Sequence, residues 1–245
     1  MYRNTFLSVM FLACCFNGSL CAQSDAQIYE RTCDAKTYPF SDPSPVATPN
    51  NSYYPYFRFD GFSMQAQEKQ WKMVVLENDY VKLTVTPEIG GKIWGAIDKV
   101  NNKEFVYTNG VVKFRDVAMR GPWTSGGIEF NFGIIGHAPT CSTPIDYLTK
   151  KNVDGSVSCH IFSYEWITRT VWNVEINLPK DKAYFTTHTT WFNQSSIDQP
   201  YYQWMNAGYA TKTGTRFYYP GTYSIGHSEI CHPYPIDERG EMSLV

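Results

Sequence analysis

The side chains best suited to chemistry lie in Arg120–Phe132, Arg-Gly-Pro-Trp-Thr-Ser-Gly-Gly-Ile-Glu-Phe-Asn-Phe. Ile128, Phe130 and Phe132 alternate with Glu129 and Asn131. A strand here turns its apolar side chains to a core and sets Glu129 beside Asn131 on the other face, about 6.5–7 Å apart along the chain. Gly126 and Gly127 just ahead allow a left-handed backbone and a close approach. With Trp123 nearby, the set offers an acid, an amide and a flat ring, which is what a sugar-binding cleft requires. Glu129 is the candidate general acid or base. The plain structural alternative is a buried glutamate that accepts backbone hydrogen bonds at a strand start. His137 follows the glycine-rich loop Phe132-Gly133-Ile134-Ile135-Gly136. An imidazole close to Glu129 suits acid–base work on a hemiacetal or glycosidic oxygen.

Other residues offer recognition chemistry. His188 sits among alternating threonines and could line the same face; Arg169 could hold a ligand carboxylate bidentately. Trp191, Trp204 and Tyr209 could stack on sugars, although such residues more often fill cores; Trp204 is kept with the substrate-binding set. His227-Ser228-Glu229-Ile230-Cys231-His232 gathers metal-capable side chains. Its spacing matches no zinc signature, so no metal and no cofactor are expected. A phosphate loop, a dinucleotide fingerprint and a Gly-x-Ser-x-Gly elbow are all missing from the sequence. A glycosidase normally needs two carboxylates, about 5–5.5 Å apart for retention and about 6.5–9.5 Å for inversion. Glu129 has no clear second; Glu165 and Asp146 are the candidates.

These residues need a scaffold. The chain has 245 residues and a net charge of -2, enough for one large all-β domain or two small ones. No basic run suggests a nucleic-acid partner. Aromatic residues make up 16%, which favours strands. Arg3, the apolar run Phe6–Phe16 and the small-residue site Leu20-Cys21-Ala22 read as a signal peptide over 1–22. The expected location is periplasmic or extracellular, with lipid anchoring through Cys14, Cys15 or Cys21 as the alternative. That run is too short for a stable membrane span. Cys33, Cys141, Cys159 and Cys231 then remain; export permits disulfides, and free buried thiols are the competing reading.

Residues 23–70 read as a lead-in packing on the body, since Pro39, Pro43, Pro45 and Pro49 block regular structure. The body runs over 71–245. Val81, Leu83 and Val85 alternate with Lys82, Thr84 and Thr86, and Pro87-Glu88-Ile89-Gly90-Gly91 is a turn before a strand over Lys92–Asp98. Strands are expected over Ser156–Glu165, Thr170–Leu178, Tyr184–Asn193, Tyr201–Ala210 and Thr215–Tyr219. Strands spaced roughly ten residues apart argue for an antiparallel sandwich or barrel. The final stretch Ser228–Val245 lacks a clear strand, which suggests a domain incomplete at its C-terminus.

Four segments together resemble one bacterial family, catalogued as domain of unknown function 5107. They are Val75-Leu76-Glu77-Asn78-Asp79-Tyr80-Val81-Lys82-Leu83-Thr84-Val85, Pro87-Glu88-Ile89-Gly90-Gly91-Lys92-Ile93, Gly121-Pro122-Trp123-Thr124-Ser125-Gly126-Gly127-Ile128-Glu129-Phe130-Asn131 and Asp154-Gly155-Ser156. The resemblance covers about Lys72–His227. It implies a large antiparallel β-supersandwich of the galactose-mutarotase type with a carbohydrate site on its concave sheet, and a histidine near position 137. It also implies C-terminal tetratricopeptide repeats in the full-length protein. The sequence departs from that pattern, because no such repeat follows and a full supersandwich needs more strands. The expected function is saccharide binding in a concave groove, with hydrolysis or epimerisation of glycans by acid–base chemistry. The alternatives are a non-catalytic carbohydrate-binding module and a structural module of a larger protein.

Overall fold

The computed structural model describes residues 24–41, 57, 60–117, 121–133, 136–165, 168–209, 211, 213–216, 218, 220–226, 229–236 and 239–241. Residues 1–22, expected from the sequence to be a signal peptide, Pro43, Pro45, Pro49, Arg120, His227 and 242–245 lie outside them. The strands are β1 (Gln27–Tyr38), β2 (Gln67–Glu77), β3 (Val81–Thr86), β4 (Lys92–Asp98), β5 (Lys103–Val106), β6 (Val112–Lys113), β7 (Arg115–Asp116) and β8 (Pro122–Trp123). They continue with β9 (Ile128–Phe132), β10 (Asp146–Lys151), β11 (Val157–Glu165), β12 (Thr170–Leu178), β13 (Thr186–Asn193), β14 (Gln203–Ala207), β15 (Tyr223–Ile225) and β16 (Cys231–Pro233). Two short 3-10 turns, Pro87–Ile89 and Pro139–Cys141, are the helical elements among the described residues.

An eight-stranded sheet in the order β14-β9-β4-β3-β2-β1-β6, with β5 on β4, faces a four-stranded sheet β10-β11-β12-β13. Apart from a two-residue parallel contact of β1 with β6, the pairing in both sheets is antiparallel. The protein is therefore an all-β sandwich. No helix among the described residues is long and apolar enough to cross a membrane.

The core forms where the two sheets meet. In β12 the alternate residues Thr170, Trp172, Val174, Ile176 and Leu178 are buried and the intervening ones half-buried, the period-2 signature of a one-sided strand. They pack with Val157, Cys159 and Ile161 of β11 against Leu76, Leu83, Ile93, Phe130 and Phe132 of the large sheet. Trp172 stacks on Phe132 with centroids 4.4 Å apart and planes 10° apart.

The large sheet is also covered on its second face. Trp71, Met73 and Trp94 on that face pack with Ile89, Val112 and Phe114. A bulge opposite Thr84 and Val85 gives β4 one extra residue and turns Trp94 to this side. Double coverage explains the unbroken apolar run Met73-Val74-Val75-Leu76 in β2, all of it buried.

The lead-in reading of 23–70 is corrected. Gln27–Tyr38 is a strand of the large sheet and pairs with β2 from Gln27↔Glu77 to Thr37↔Gln67. No proline falls inside it; Pro39 ends it. Its mostly exposed, polar side chains hid the alternation that reveals other strands.

Candidate functional site

Every residue of β9 is buried, including Glu129 at 3% exposure and Asn131 at 0%. Glu129 and Asn131 do share a face, as the alternation requires, but loops cover that face. The cross-strand partners on β14 are Asn206 opposite Glu129 and Trp204 opposite Asn131. Gly127 makes the close approach: with φ of 67° it sits so near β4 that an added Cβ would lie 2.4 Å from the Ile93 carbonyl oxygen.

The carboxylate of Glu129 is a hub. Its Oε2 accepts the indole N–H of Trp123 at 2.8 Å, and its Oε1 accepts the side-chain amides of Asn131 and Asn206, both at 3.0 Å. His137 Nδ1 lies 2.8 Å from Oε1. An acceptor so placed calls for a donor, so Nδ1 carries the proton and Nε2 is left as the free ring nitrogen. A buried carboxylate held by this many donors is stabilised by them, and its lone pairs are committed.

Lys92 completes the hub from β4. It is 1% exposed, its Nζ lies 3.6 Å from Glu129 Oε2, and it donates to the Thr124 carbonyl at 2.6 Å and hydroxyl at 2.9 Å. Burial holds the Lys92 ammonium below the usual lysine range; the nearby charge of Glu129 opposes that shift. Behind them lies Cys141, whose thiol burial pushes up to about 12, with the Glu129 charge adding to the effect. The Pro87–Ile89 turn holds this loop. Gly90 at φ 64° passes so close to Cys141 that a Cβ would sit 2.3 Å from its carbonyl, and its N–H donates to the Thr143 carbonyl at 2.8 Å.

A chemical prediction follows from the four cysteine thiols among the described residues, all of which are free. Burial pushes Cys159, like Cys141, up to about 12, so at pH 8 roughly one such thiol in 10⁴ is ionised and able to react. Cys231 is exposed and Cys33 half-buried. Alkylation of the native protein followed by peptide mass mapping is expected to modify Cys33 and Cys231 and spare Cys141 and Cys159.

His137 is where the hub meets the surface. Its side chain is 21% exposed and its backbone is left-handed, with φ of 52°, a strain of order 1–3 kcal/mol that surrounding contacts must hold. Its ring lies 4.9 Å from Trp204 and 6.1 Å from Trp123, edge-on to both. Gly136 lets Trp204 in: a Cβ there would lie 2.4 Å from the indole. Two register partners remain unsatisfied among the described residues, since the Trp204 indole N–H and the Asn131 Oδ1 are buried without a hydrogen-bond partner. One is a donor and the other an acceptor.

The structure thus brings Glu129, His137, Trp123, Asn131 and Trp204 together. It does not bring in Arg169 or His188, which the sequence placed in the same set. Both belong to the four-stranded sheet. Arg169 sits in the turn before β12, in left-handed backbone, beside a cavity of ≈ 640 Å³ shared with Tyr164 and Gln194. His188 is exposed and opposite Glu175, on the face of that sheet turned away from the core. Alternation gave His188 a face, and pairing decided which sheet owned it; Arg169 lies between β11 and β12 and so carries no strand face. The proposed second carboxylates also lie in the small sheet. Glu165 is buried and accepts the Thr168 backbone N–H and hydroxyl, and Asp146 is exposed on β10. Among the described residues no group of three His, Cys, Asp or Glu side chains converges to hold a metal. Sequence reasoning missed Lys92 and Asn206. Lys92 follows Gly90-Gly91 and looks like a solvated strand residue, and nothing local in Gln203–Ala207 announces a partner for Glu129.

Residues 48–244 match the family described as Domain of unknown function (DUF5107). Among solved structures, a TPR-domain containing protein from Parabacteroides distasonis is similar, with a TM-score of 0.68 and 27% sequence identity over 76% of this chain. The chain spans 32% of that protein's length. The family match runs from before β2 to beyond β16 and takes in the whole hub around Glu129, so the chain belongs to the DUF5107 family of domains of unknown function.

Proposed function

We propose that the domain binds a saccharide at the mouth formed by His137, Trp204 and Trp123, as a recognition module of an exported protein. The observation that carries this reading is the unsatisfied pair, Trp204 N–H and Asn131 Oδ1, beside the strained, partly exposed His137. A buried donor and a buried acceptor left unpaired are costly. A hydroxyl is donor and acceptor at once, so one sugar hydroxyl reached by an outward turn of Trp204 on its edge strand satisfies both. His137 Nε2 accepts from a second hydroxyl, and the indole faces supply stacking.

Glu129 acts in this reading through His137, as a positioning residue. Its oxygens are taken by four donors and its charge by Lys92, which argues against glycoside hydrolysis with Glu129 as acid or nucleophile. The dyad supports a second reading, proton transfer by His137 at a sugar hemiacetal, the chemistry of an epimerase.

A glycan array probed with the wild type and with His137→Ala tests the proposal. The wild type is expected to give discrete hits. His137→Ala should lose them by about tenfold or more, the effect of one lost hydrogen bond together with the ring contacts beside it. A blank wild-type array, or hits indifferent to His137→Ala, would sink it.

A further inference from the structure

A second candidate site lies away from the hub, where the β1–β2 end of the large sheet meets the loop around Phe114. Phe40, Phe57, Trp71 and Phe114 line a cavity of ≈ 320 Å³ together with Lys69 and Glu88. The rings are set at angles to one another: Trp71 and Phe114 are 6.1 Å apart at 52°, Phe40 and Phe57 5.9 Å apart at 83°. The walls are fixed. Trp71 donates its indole N–H to the Thr37 hydroxyl at 2.9 Å, and Glu88 accepts the Lys72 backbone N–H at 2.6 Å. A Cβ on Gly121 would press to 2.9 Å from the Phe57 ring, so a glycine there keeps this wall in place.

The occupant of the cage is informative. Lys69 and Trp71 are two apart on β2 and so share a face. The Lys69 ammonium sits 3.7 Å from the centre of the Trp71 ring, and no carboxylate pairs with it among the described residues. The chain's own cation thus marks the ring face where positive charge is stabilised. A carboxylate, Glu88, lines the same cavity.

We infer that this aromatic cage binds an organic cation of the quaternary ammonium class, with Lys69 as a tethered competitor for the same ring face. A weakly hydrated cation loses little on leaving water and is attracted by several ring faces together. The Lys69 stem is exposed and flexible, so it swings out when a ligand enters. This inference does not depend on the saccharide reading, because it uses none of the hub residues.

Calorimetric titration with choline chloride at fixed ionic strength tests it, with 3,3-dimethylbutan-1-ol as an uncharged ligand of the same shape. Choline should bind saturably at one site, and the neutral alcohol at least about tenfold more weakly. Lys69→Gln, at an exposed position that leaves the fold intact, should tighten choline by about threefold or more by removing the competitor. His137→Ala should leave choline affinity unchanged. Absence of saturable choline binding, equal binding of the alcohol, or unchanged affinity in Lys69→Gln each overturns the inference.

Discussion

Replacing Glu129 by glutamine is expected to destabilise the domain by about 3–5 kcal/mol, the usual cost of removing one partner of a buried ion pair. For a domain of this size that is roughly 6–20 °C in Tm. The substitution keeps the shape but leaves the Lys92 ammonium buried at 1% exposure without its counter-charge. It also turns an amide N–H₂ toward donors that now point at a carboxylate. The cost should depend on pH in a defined direction. Burial already depresses Lys92, and losing Glu129 removes what opposes it. Between the lowered folded value and the ordinary 10.5, the unfolded chain binds more protons than the folded one. The stability of Glu129→Gln should therefore rise with pH across that window and its deficit relative to wild type shrink. Adding Lys92→Met should recover much of the loss at neutral pH, because it removes the stranded charge at similar volume. Denaturant melts of the two single variants and the double variant check this. A Glu129→Gln cost under about 1 kcal/mol, or no recovery in the double variant, would mean that the pair is not the buried hub described here.

Trp172→Ala should cost a comparable amount, about 3–5 kcal/mol, through the cavity it leaves. Trp172 is fully buried and stacks on Phe132, the last residue of the strand that carries Glu129 and Asn131. It is one of the ties that hold the small sheet beneath the site. Its indole N–H has no hydrogen-bond partner among the described residues, so Trp172→Phe sacrifices packing and no hydrogen bond. The phenylalanine variant should lose no more than about half as much as the alanine variant. Denaturation midpoints for the two variants separate the cases. Equal losses would show that the indole makes a polar contact that phenylalanine cannot replace, and a small loss for alanine would show that the sheets do not close on Trp172.

Much of this was legible in the sequence because the relevant physics is local. Alternation in Val81–Thr86 and Thr170–Leu178 gave strands and their buried faces correctly. Gly126-Gly127 ahead of Ile128-Glu129-Phe130-Asn131 marked a place where backbone approaches backbone, and Gly127 against Ile93 is that place. Trp123, Asn131, His137 and Trp204 do gather at Glu129. What was not legible depends on pairing across the sheet. Lys92 and Asn206 reach Glu129 only because β4 and β14 flank β9, and no local pattern encodes that order. His188 fails for the same reason: its strand face was plausible, but its sheet was the other one, and Arg169 sits in the turn before β12 of that sheet. Glu129 itself was read as lining an open cleft. The strand's polar face turned out to be roofed by the loop bearing Trp123 and Thr124, a long-range contact that alternation does not reveal.

In the function proposed here, Glu129 holds the His137 imidazole so that its Nε2 meets a saccharide hydroxyl. Long-range ¹H–¹⁵N spectra of the His137 ring, recorded while titrating the strongest glycan from the array, test this most directly. The free protein is expected to carry the proton on Nδ1, and Nε2 to shift saturably as glycan is added, with the Nδ1 proton retained. A glycan that binds while the His137 ring resonances stay still, or a free ring protonated on Nε2 alone, would contradict it.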